Sequence, residues 1–132
     1  MDLPELCFHL RHRRRMYLPD DRYASAVAFV VGFDQAHDGV PLAGFQEYVA
    51  ARVGMTGSPL VWSYLLAGEL VPDVVVAGDR VPAELDVPLT DRLVEVLEAF
   101  VVISGGELIS DVSEIRARRA ERDRRSGRAP GS

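Results

Sequence analysis

The chain contains no Lys, no Asn, a single Cys and a single Trp, and it has no apolar run long enough to span a membrane. Each absence excludes something. With Cys7 alone, neither a disulfide framework nor a Cys-based metal site can form within the chain, and a reducing compartment is its natural home. The stretch from Val27 to Phe33 stops far short of the ~20 apolar residues a membrane helix requires. No G-x-S-x-G elbow is present to hold a nucleophilic serine, and the Gly105-Gly106 pair lacks the G-x-G-x-x-G or GK[ST] context of a phosphate cradle. The opening MDLPELCFHL is acidic first and basic afterwards, the reverse of a secretory signal. These exclusions lead us to expect a cytoplasmic protein that is not an enzyme and carries no cofactor. The use of Arg for all 15 basic positions is the bias of a GC-rich, bacterial genome.

What is present suits one domain. At 132 residues and 48% hydrophobic, the chain can bury roughly two-thirds of the surface its unfolded form exposes. The net charge of -5 is unevenly distributed. From Asp20 to Glu114, 16 acidic residues face four Arg, a balance of -12, whereas residues 1–19 carry +2 and residues 115–132 carry +5. An acidic body with basic ends repels nucleic acid over most of its surface and attracts basic proteins.

The periodicity predicts a mainly α fold, a compact bundle of about five helices. Residues 1–19 read as an irregular arm with a helical turn near Pro4, because Arg13, Arg14 and Arg15 interrupt any apolar face. Its end, Met16, Tyr17 and Leu18, anchors to the core. The central helix is expected over residues 21–38, capped by Asp20 or Asp21, apolar almost all the way round and ended by Gly39. A second helix should start at Pro41 and end at Gly54, and a third should follow Ser58-Pro59 and close at Pro72. Val74 to Val76 and the prolines around them give either a short β-ribbon near residues 74–82 or an extended connector. Thr90 and Asp91 start a fourth helix with a core stripe of Leu93, Leu97, Phe100 and Val101, stopped by Gly105 and Gly106. A fifth, using Leu108, Val112 and Ile115, runs to about Arg119. The domain is therefore expected over residues 20–115, with residues 116–132 forming a basic, partly disordered tail.

Three sets of residues could carry a function. Asp34, Asp38, Glu47, Tyr48, Tyr64, Glu69 and Asp73 are acids and aromatics of the kind that line a protein-binding surface. Trp62 and Tyr64 stand two apart on a helix and so cannot both be core, which leaves Tyr64 partly exposed. Arg118, Arg119 and Arg122 are the nucleic-acid candidates, although no aromatics are interleaved with them for base stacking. Asp34, His37 and Asp38 put two carboxylates and an imidazole near one helix end, a geometry metals accept, but three or four ligands are needed. His9 and His12, among arginines, do not supply them, and a helix C-terminus attracts His through its dipole.

Residues 12–54, HRRRMYLPDDRYASAVAFVVGFDQAHDGVPLAGFQEYVAARVG, resemble small bacterial proteins that open on R-P-x-M-Y-[IL]-G and continue into a helix ending in G-[YFW]. Several of these are associated with toxin–immunity gene neighbourhoods. Arg13, Met16, Tyr17 and Leu18, then Gly32 and Phe33, carry the resemblance, while Arg14 stands where the motif has proline and Pro19 where it has glycine. A similar R-P-G-M-Y-I-G string opens the gyrase-type ATPase domain, but the Asn-bearing helix and glycine loops of that family have no counterpart here. The resemblance implies an interaction protein and no catalytic residue. Together these readings give a small acidic protein that binds a basic protein, in an immunity- or antitoxin-like role. The alternatives are an accessory protein contacting nucleic acid through its Arg-rich end, and a metal-dependent enzyme using Asp34, His37 and Asp38.

Overall fold

The longest helix, Asp86–Ile103, forms the axis of the molecule. The structure, a computed structural model, describes residues 1–71 and 81–127. Within them the helices are α1 (Leu3–His12), α2 (Arg14–Tyr17), α3 (Tyr23–Ala36), α4 (Phe45–Arg52), α5 (Trp62–Leu70), α6 (Asp86–Ile103) and α7 (Val112–Arg125), with a 3₁₀ turn at Ala83–Leu85. No strand occurs among the described residues, and the expected ribbon lies mostly outside them.

Helix α6 is central because its apolar residues cover more than one face. Leu89, Leu93, Val94, Val96, Leu97, Phe100 and Val101 are all buried, and α1, α3, α4 and α5 pack around them. The expected core stripe of Leu93, Leu97, Phe100 and Val101 is present. The helix begins one turn earlier than Thr90-Asp91, since Pro88 is tolerated in a first turn and the Thr90 hydroxyl donates to the Asp86 carbonyl at 2.9 Å. It ends at a reversal in which Gly105 is left-handed (φ 86°) and the Gly106 N–H reaches the Val101 carbonyl at 2.9 Å. A Cβ on Gly106 would stand 2.9 Å from Val101 Cγ1, so any side chain there would force Val101 to shift.

The N-terminal segment is not an irregular arm. Leu3–His12 is a helix whose Leu6, Cys7, Phe8 and Leu10 are buried, packed chiefly on α6. Its start is fixed by a capping box: the Asp2 carboxylate accepts from the Glu5 N–H at 3.1 Å and the Glu5 carboxylate from the Asp2 N–H at 2.8 Å. The arginine run follows the helix instead of breaking it.

Helix α3 is less central than its composition suggests. Tyr23, Ala26, Val30 and Phe33 make one buried stripe, while Ala24, Ala28, Val31 and Gly32 face solvent. Small residues need no burial, so an apolar count overstates how much of such a helix must be covered. Neither Asp20 nor Asp21 is its N-cap. Asp20 accepts from the Arg22 N–H and the Ser25 hydroxyl, and the Tyr23 N–H donates to Asp86 of α6 at 2.9 Å. Gly39, at φ 74°, closes the C-terminus by donating its N–H to the Asp34 carbonyl.

Two more starts are displaced. Residues 41–44 form turns and Gly44, left-handed at φ 85°, delays α4 to Phe45. Helix α5 begins at Trp62, well after Pro59, where the Gln46 side chain takes the place of a local cap. It accepts from the Trp62 N–H and donates to the Leu60 carbonyl, each at 2.7 Å. A cluster of Phe45, Trp62 and Phe100, in edge-on contacts of about 5 Å, closes this end of the core.

Helix α7 extends to Arg125, beyond the expected limit near Arg119. Asp111 caps it by accepting from the Glu114 N–H, and Glu121 pairs with Arg124 and Arg125 on the solvent side. Only Ile115 is buried.

Candidate functional site

The most organised polar region lies between α1 and α7. Asp2, Glu5 and His9 follow one another at helical spacing along α1, and Glu5 and His9 are each 1% exposed. From α7, Arg122 grips Glu5 with two hydrogen bonds of 2.8 and 3.1 Å, and Arg118 grips Asp2 with contacts of 2.8 and 3.1 Å. Both pairs step forward by one turn on both helices, so α7 runs alongside α1 in the same sense. Forked guanidinium–carboxylate pairs are the stronger kind of ion pair. Burial alone would raise the Glu5 pKa, but the Asp2 N–H and the Arg122 guanidinium outweigh it and hold the carboxyl below its ordinary value.

His9 sits one turn beyond Glu5. Its ring packs on Tyr17 of α2 at 4.4 Å between centroids, with Nε2 and the Tyr17 hydroxyl 3.2 Å apart. Its Nδ1 has no hydrogen-bond partner among the described residues. Burial, together with the charges of Arg13 and Arg119, pushes its pKa down and keeps the imidazole neutral. Nearby Cys7 is buried against the core, and burial pushes its thiol pKa up to about 12, so it holds no thiolate for chemistry.

A second region is an open groove of about 700 Å³ beside α1 and α2, lined by Arg11 to Met16 together with Asp21, Val87 and Asp91. Three of its arginines are engaged: Arg11 pairs with Glu98, Arg14 with Asp91 at 2.8 Å, and Arg15 with Asp21 at 3.6 Å. It continues past Arg11 and Asp91 into a groove of about 630 Å³ that includes Leu70, Pro88 and the Glu69–Arg92–Glu95 ion pairs.

The residues singled out by sequence do not form one cluster. The Asp34 carboxylate accepts from the Leu42 N–H at 2.9 Å and so closes the α3–α4 turn. Asp38 is exposed in that turn at φ 58°, and His37 stacks on Phe33 while its Nδ1 donates to the Phe33 carbonyl. Among the described residues no group of three or more His, Cys, Asp or Glu side chains is arranged to hold a metal. Tyr48 packs on Phe45 and Phe100, its hydroxyl accepting from Arg52 at 2.7 Å. Glu69 is bound to Arg92. Glu47 and Tyr64 are exposed, and Asp73 lies outside the described residues. Of the nucleic-acid candidates, Arg118 and Arg122 are committed to α1, while Arg119 is exposed. Sequence reasoning overlooked Asp2, Glu5 and His9. The signal was present as D-x-x-E ahead of Leu6 and Leu10, the pattern of a capping box.

No protein-family model matches the chain, and no curated protein or solved structure shows a significant match to it.

Proposed function

We propose that the protein works by binding another protein with a basic surface, an immunity- or antitoxin-like role being the most concrete form of that reading. The observation that supports it is the surface at the start of α5. Val61 and Tyr64, one turn apart, are 44% and 40% exposed, and the Gln46 clamp on Leu60 and Trp62 ties the first turn of α4 to the start of α5. Glu47, next to Gln46, is exposed at the same end. An exposed aromatic with an apolar neighbour, and an acid on the adjoining helix, suits a protein interface, and the acidic body would steer a basic partner towards it. The resemblance over residues 12–54 points the same way. Of the residues offered for a nucleic-acid role, Arg118 and Arg122 are already paired with Asp2 and Glu5, which leaves Arg119 as the exposed candidate for that second reading.

Affinity capture from the native host tests the proposal. The wild-type chain should enrich a basic protein that is released as salt rises from about 0.05 to 0.3 M, because exposed charges are screened over that range. Tyr64→Ala and Glu47→Arg should each weaken capture of that protein by about tenfold, as loss of an interface anchor does. Failure to enrich any basic protein, or capture indifferent to salt and to both substitutions, overturns it.

A further inference from the structure

We propose that α7 is exchanged between two copies of this chain, each copy seating its Val112–Arg125 helix on the Asp2–Glu5 stripe of the other. The seat and the helix are complementary by construction, since Ile115, Arg118 and Arg122 of any copy meet the same surface and the same carboxylates. Three observations carry the exchange. First, α7 is attached to its own body by one buried side chain and two ion pairs, so little of the fold depends on which chain supplies it. Second, the connection is free to open. Between the Gly106 N–H and the start of α7, the backbone of residues 107–109 makes no backbone hydrogen bond, and the Ser110 N–H bonds to Glu114, which travels with the helix. Third, partly exposed apolar side chains flank this hinge. Val102 is 55% exposed, Ile103 63% and Leu108 42%. When two hinges cross in an exchanged dimer, these side chains meet their counterparts, giving a new apolar contact that no other basic helix would supply.

In the dimer every contact between α1 and α7 is retained, so its stability relative to the monomer comes from the hinge contact and is opposed by the tether. A tethered helix competes at roughly millimolar effective concentration, so dimer should appear as the full chain approaches about 0.1–1 mM. Light scattering after size exclusion reads this directly. Deleting Glu107–Ile109 leaves the tether too short for α7 to fold back and should lower the dimer dissociation constant by at least about tenfold. Arg118→Glu with Arg122→Glu should leave only monomer with the body's helical signal intact, which keeps the test decisive if the deletion variant fails to fold. A strictly monomeric wild type at 1 mM, a dimer indifferent to hinge length, or one that survives the double charge reversal would each overturn the exchange.

Discussion

Helices α1 and α7 lie side by side and share two ion pairs, yet different forces hold them. Six of the ten residues of α1 are buried, four of them apolar side chains set chiefly against α6. Of the fourteen residues of α7 only Ile115 is buried. The first helix is fixed chiefly by area removed from water, which is insensitive to salt. The second is fixed largely by charge, which salt screens. One pair of neighbours therefore combines a permanent element with a conditional one.

The comparison can be broken at its strong end first. Leu97→Ala, at a fully buried position of α6, should cost about 2–5 kcal/mol in denaturant unfolding and affect α1 and α7 alike. A loss confined to α7 would mean that α6 is not the common support. Smaller effects come from the shared carboxylate. Glu5→Gln should cost about 1–3 kcal/mol, the range for an impaired buried hydrogen-bonded group, and in hydrogen exchange α7 should open well before the α1–α6 core. Acid should act in the same direction. Because the Glu5 pKa is lowered in the folded state, its contribution is complete above the ordinary carboxylate range and is lost as pH falls through the lowered value. His9, whose pKa is also lowered, binds protons more readily when unfolded, so it removes stability earlier, as pH falls below about 6.5. A thermal melting profile flat from pH 7 to pH 5, or unchanged in His9→Gln, would contradict this order. The smallest effect is expected at Glu121, exposed and paired only within α7. Glu121→Gln should speed amide exchange in the last two turns of α7 and leave the melting of the body unchanged, since exposed pairs contribute little.

How far the fold was legible in sequence follows from how local its causes are. The stripe of Leu93, Leu97, Phe100 and Val101 and the stop at Gly105-Gly106 were readable, because both depend on residues within one helix and its cap. The partial exposure of Tyr64 followed from two-residue spacing alone. The choice of α3 as hub failed because Ala and Gly score as apolar without needing cover, and centrality depends on what other helices do. The N-terminal helix was obscured by the salience of Arg13 to Arg15, although Asp2-x-x-Glu5 lay ahead of them. The length of α7 was not readable from its neighbours in sequence, since the partners of Arg118 and Arg122 are 116 and 117 residues away. For the same reason the Asp2–Glu5–His9 stripe appeared only once the two ends of the chain were brought together.

The contact between Tyr23 and Asp86 bears on how the chain acquires its structure. Helix α3 has no side-chain cap from its own Arg22, and the donor at its first residue is met by a carboxylate 63 residues further on. Closing a loop of that length carries an entropic cost that no local contact returns. The first turn of α3 is therefore completed by the start of α6, so a change at Asp86 acts on a helix end 63 residues away in the chain.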